Sequence, residues 1–78
     1  MVVYRASIET RNFDFEGFGV DAEQARAALI AGLVVHGREY RLAPDWFEDM
    51  TGDIEEHSFH AGAAYRRGNP DPIATVLA

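Results

Sequence analysis

"FDFEGFGVDAEQ", residues 13–24, is where the repeat of the chain changes. Up to Val20 the side chains alternate. Phe13 and Phe15 point one way, Asp14 and Glu16 the other, and that alternation predicts a strand half-buried on one face. Gly17 and Gly19 continue the Phe face, where they either let a helix approach closely or mark a bulge. Phe18 falls on the acidic face. Asp21 then reads as a helix N-cap. Gln24, three residues on, completes a capping-box pattern, and Glu23 suits the positive end of the helix.

Upstream, "VVYRASIET" (2–10) alternates Val2, Tyr4, Ala6 and Ile8 with Val3, Arg5, Ser7 and Glu9, a first strand. "RN" (11–12) is a plausible turn, because Asn tolerates positive φ. Downstream, the helix runs from about Ala22 toward Tyr40. Its expected sheet-facing stripe is Ala22, Ala25, Leu29, Gly32, Leu33, His36 and Tyr40. Ala27, Ile30 and Val34 are expected roughly opposite. The helix is thus apolar nearly all round. Its back must be covered by the tail "PIATVLA" (Ile73, Val76 and Leu77 above all), by the 44–50 segment, or by a second copy.

"LAPDWFEDM" (42–50) reads as a short helical turn with Pro44 near its first position. "TGD" (51–53) reads as a turn, and "IEEHSFHAGAAY" (54–65) as a third strand. Phe59, Ala61, Ala63 and Tyr65 are expected toward the core, although Ile54 breaks that phase. Residues 66–78 form a C-terminal tail, docked or frayed. The expected fold is α+β, a β-β-α-β layout: a three-stranded antiparallel or mixed sheet with one main helix on one face. Strand one lies in the middle, as in a split βαβ unit.

The 78 residues make one domain, and a chain this short buries only about 60–65% of its unfolded surface. It carries 47% hydrophobic and 12% aromatic residues, too many for a disordered chain. There is no cysteine, which excludes disulfides and Cys-ligated metal and fits a reducing cytoplasm. No apolar run approaches the roughly 18 residues needed to span a bilayer, and the N-terminus has no signal-peptide pattern. Net charge is −6, and the seven basic residues are all Arg. That balance argues against direct nucleic-acid binding and toward a basic partner.

The acids concentrate in "DWFEDMTGDIEEH" (45–57): Asp45, Glu48, Asp49, Asp53, Glu55 and Glu56, with no Lys or Arg among them. Asp14 and Glu16 extend the group. Such a display speeds encounter with a basic groove. Trp46 and Phe47 either anchor the contact or close the bottom of the core, and the core is preferred. A metal-dependent enzyme on Asp53, Glu56 and His57 is a third reading. His57 and His60 lie three apart, however, so on a strand they face opposite ways. No nucleophile has a catalytic setting, and there is no phosphate loop or dinucleotide fingerprint. No catalytic residue, metal or cofactor is expected.

The stretch "FEGFGVDAEQARAALIAGL" (15–33), with Asp21, Glu23, Gln24 and Ala25 at the matching places, is similar to the strand-to-helix step of HicB-like antitoxins. That resemblance implies the strand-to-helix fold and, as an alternative function, an antitoxin-like or regulatory module; the apolar helix back of Ala27, Ile30 and Val34 is where its homodimer is expected. Size, acidity, a single α+β domain and the lack of cysteine also resemble small phage-encoded inhibitors of the type I anti-CRISPR kind. This second resemblance implies an acidic plug on the basic, DNA-receiving surface of a CRISPR surveillance complex.

Overall fold

The computed structural model describes residues 1–76. The fold is α+β: a three-stranded antiparallel sheet, one main helix and a short 3₁₀ helix. Strand β1 (Val2–Glu9) turns into β2 (Asp14–Gly19), helix α1 (Ala22–Glu39) follows, and a 3₁₀ helix (Glu48–Asp53) leads into β3 (Glu55–His60). The sheet order is β2-β1-β3, with β1 in the middle as expected. A hairpin of β4 (Ala63–Tyr65) and β5 (Pro72–Thr75) forms a separate two-stranded sheet.

The capping pattern at residues 21–24 forms with one change. Asp21 Oδ1 accepts from the Gln24 N–H at 2.7 Å. The Gln24 side chain, however, accepts from Val20 N–H at 2.7 Å, one residue before the cap. Both bonds satisfy amides that the first turn leaves without helical partners or that precede it.

Alternation places Ala6 and Ile8 of β1 in the core beneath Ala25, Leu29 and Leu33 of α1, with Tyr4 and Phe15 packed against them. Gly17 is needed for this approach. A Cβ there would lie 2.5 Å from the Ala25 carbonyl oxygen and collide with the Leu29 backbone, so the glycines of β2 mark close helix contact. The buried stripe is Ala25, Leu29, Leu33 and Gly37. It drifts around the helix relative to the expected one: Gly32 and Tyr40 are exposed and Gly37 is buried. Ile30 and Val34 lie on the flank rather than opposite, half-buried against the core. Phe47 is buried beside them, with Trp46, Met50 and Ile54 packed on the same cluster, so the 46–54 segment belongs to the core. Helical order there starts later than expected, at Glu48, and includes Thr51-Gly52-Asp53.

The third strand differs most. It ends at His60, and Ala61 and Gly62 break it, with Gly62 at φ 83°. Phe59 pairs with Val3 and shares its face, away from the helix; Ile54, not Phe59, is the core residue. Ala61 is exposed, and Ala63 and Tyr65 belong to the second sheet. Among the described residues, the tail does not cover α1. Every residue of β5 is exposed, and Ile73 and Val76 are 52% and 76% accessible. Leu77 lies outside the described residues.

Candidate functional site: the open face of the sheet

The face of the sheet opposite α1 is built in rows across the strands. Cross-strand register aligns Phe18, Arg5 and His57 in one row and Glu16, Ser7 and Glu55 in the next. Glu9 and Asp14 pair beyond them. Four carboxylates therefore share one face around Ser7, and like charges placed opposite each other across strands repel. Asp53 stands just before β3 and lines the Glu9–Glu55 end of the same face.

Arg5 is the central cation. Its Nη1 lies 3.7 Å from Glu16, its guanidinium sits 4.7 Å above the Phe59 ring, and its side chain is only 16% exposed. Its Nε is enclosed and has no hydrogen-bond partner among the described residues. His57 Nε2 is 3.6 Å from Glu55. The C-terminal hairpin is tied to the β3 side of this face. Tyr65 packs edge-on to Phe59 at 4.7 Å, and its hydroxyl accepts from His60 N–H at 3.0 Å. The hairpin turn brings Arg67 and Gly68 to the wall of an open groove of about 780 Å³, floored by the carboxylates, Arg5, Ser7 and Phe18.

The expected acidic residues do not form one patch. Asp14, Glu16 and Glu55 lie on the open face, with Asp53 at its end. Asp45, Glu48 and Asp49 are exposed on the connection from α1 to β3, whose Trp46 and Met50 line a groove with Thr10, Arg11, Asn12 and Phe13 of the β1–β2 turn. Glu56 points to the helix side, where its carboxylate is 3.6 Å from Arg26 Nη1; Arg26 Nη2 also donates to the Thr51 carbonyl at 3.2 Å. Glu9 joins the acids on this face, where the alternation of β1 places it. Arg67 was not readable as a member, because only the hairpin brings it over the sheet.

Asp53, Glu56 and His57 diverge. His57 lies in the open-face row beside Arg5, whereas Glu56 and His60 share the other face. Among the described residues, no three His, Asp or Glu side chains are grouped to hold a metal ion. Trp46 is a core residue: its Nε1 donates to the Leu33 carbonyl at 3.1 Å, and its ring packs near Phe15, His36 and Phe47. His36 is enclosed by the rings of Phe13, Phe15, Tyr40 and Trp46, with centroids 4.5–5.5 Å away. Among the described residues no helix is long and apolar enough to cross a membrane. Comparison with protein-family models, curated proteins and solved structures finds no match.

Proposed function

We propose that this chain is a non-enzymatic binding protein that docks its acidic sheet face on the basic surface of a nucleic-acid-binding protein and inhibits it by occlusion. One observation carries this reading: Glu9, Asp14, Glu16 and Glu55 share a face that the described residues leave open. Placing repelling charges side by side costs stability, and a cationic partner relieves that cost. Phe18, 55% exposed beside the acids, supplies an apolar contact. The most concrete target is the DNA-receiving surface of a type I CRISPR surveillance complex in the cytoplasm. The helix-mediated homodimer has less support, because Ile30 and Val34 are already packed on the core of their own chain.

The test measures target-DNA binding by such a complex in the presence of the protein. Changing Glu9, Asp14 and Glu55 together to Lys is expected to abolish inhibition while leaving the fold intact by circular dichroism. The same change at Asp45, Glu48 and Asp49 is expected to preserve it. Inhibition that survives reversal of the face overturns the reading. Raised salt is expected to slow association, since exposed charges are screened over about 8–10 Å at physiological ionic strength.

A further inference from the structure

The acidic face ends on one side at the free edge of β2, and hydrogen-bond parity shows which backbone groups that edge presents. Thr10 N–H donates to the Phe13 carbonyl at 2.9 Å. With the register Ile8↔Phe15, Ala6↔Gly17 and Tyr4↔Gly19, the even residues of β1 therefore bond to the odd residues of β2. Independently, Ala61 N–H donates to the Met1 carbonyl at 2.9 Å, which assigns the odd residues of β1 to β3. Asp14, Glu16 and Phe18 thus turn their N–H and C=O groups away from the sheet. Among the described residues no backbone or side-chain group bonds to them.

The two edges of the sheet are treated differently. On β3 the outward N–H of His60 is taken by the Tyr65 hydroxyl at the end of the strand, while the backbone groups of Glu56 and Ser58 face outward with no bonded partner among the described residues. On β2 the Asp14–Phe18 run has no such cover. An unguarded edge is a template for another strand. Its occupant is selected by charge. Antiparallel pairing of two copies centred on Glu16 would set the two Glu16 side chains directly opposite each other, which disfavours a second copy. A basic strand meets the opposite situation.

We propose that β2 accepts an extended segment of a basic protein as a fourth strand, with Lys or Arg opposite Asp14 and Glu16 and an apolar side chain against Phe18. This rests on the acidic-face reading above and adds how the partner is held. Backbone bonds to the edge provide the register, and alternate side chains, all on the open face, provide the selection.

The probe is the seven-residue peptide TVTKTKT, acetylated and amidated, titrated into the isotope-labelled full chain and followed by amide NMR. Run antiparallel, it sets its Val against Phe18 and its two Lys against Glu16 and Asp14. Binding is expected to shift and protect the amides of Asp14, Glu16 and Phe18. N-methylation of the Val and Lys nitrogens, which keeps every charge, is expected to weaken binding at least tenfold. N-methylation of the intervening Thr nitrogens, which face away from β2, is expected to change it less than threefold. Equal affinity for all three peptides overturns strand addition while leaving charge-based docking on the face intact. No binding of any peptide at low salt overturns both. A dimer in sedimentation that Glu16→Lys dissociates also overturns the proposal, because the edge is then occupied by a second copy.

Discussion

Arg41 occupies a position that chemistry reserves for glycine. It follows the helix C-cap Tyr40 at φ 55°, its N–H donates to the Arg38 carbonyl at 3.3 Å, and Leu42 N–H donates to the Gly37 carbonyl at 2.8 Å. This pair of bonds is a Schellman motif, whose left-handed residue is usually Gly. Relief of left-handed strain in an L-residue is partly offset by the greater unfolded-state entropy of glycine. Arg41→Gly is therefore expected to stabilise the domain by roughly 0.5–1 kcal/mol, read as a higher denaturation midpoint with unchanged slope. Gly37 is the converse case. It is a helix-interior glycine, which by propensity costs about 1 kcal/mol relative to Ala. Yet a Cβ there would lie 2.6 Å from Trp46 Nε1. Gly37→Ala is expected to displace the indole from its bond to Leu33, lowering stability and red-shifting Trp46 emission. An unshifted spectrum would show that the indole does not rest on Gly37. Neither role was readable beforehand, since periodicity placed Gly32 rather than Gly37 on the core stripe.

At the scale of elements, the β1–β2 hairpin is the part most fully legible in the chain. Its alternation assigned Ala6, Ile8 and Phe15 to the core and Asp14, Glu16 and Phe18 to the other face, and register confirms both sets. It also carries its own strain, with Glu9 opposite Asp14. Asp14→Thr removes that repulsion and adds a strand former, so a gain of roughly 0.2–1 kcal/mol in thermal or urea denaturation is expected. A loss would mean that Asp14 makes a favourable contact outweighing the repulsion. The alternation is deceptive in β3, because Phe59, Ala61, Ala63 and Tyr65 look like one inward-facing set. Phe59 instead covers Arg5 on the open face, where the cation–π contact and Tyr65 make an aromatic residue useful outside the core.

At the scale of the molecule, among the described residues the buried hydrophobic core draws only on residues between Ala6 and Phe47, and its packed neighbours end at Ile54. The C-terminal hairpin attaches through Tyr65, and an isolated two-stranded hairpin contributes little independent stability. A chain ending at Ala61 is thus expected to unfold cooperatively, with its midpoint lowered by only a few degrees; loss of cooperativity would show that the hairpin is part of the folding unit. Leu33→Ala, by contrast, is expected to cost about 2–5 kcal/mol, because Leu33 is fully buried in a thin core. By itself the sequence determined the β-β-α-β order, the central place of β1, the capped start of α1 and the acid-bearing face of β2. These follow from local periodicity and capping chemistry. Tertiary structure alone decided that Glu56 turns to Arg26, that Glu16 and Glu55 flank Ser7 from the two sides, and that Arg67 reaches their groove. Those juxtapositions depend on register between distant strands and on a chain reversal at Gly62, and a local pattern of residues carries no information about either.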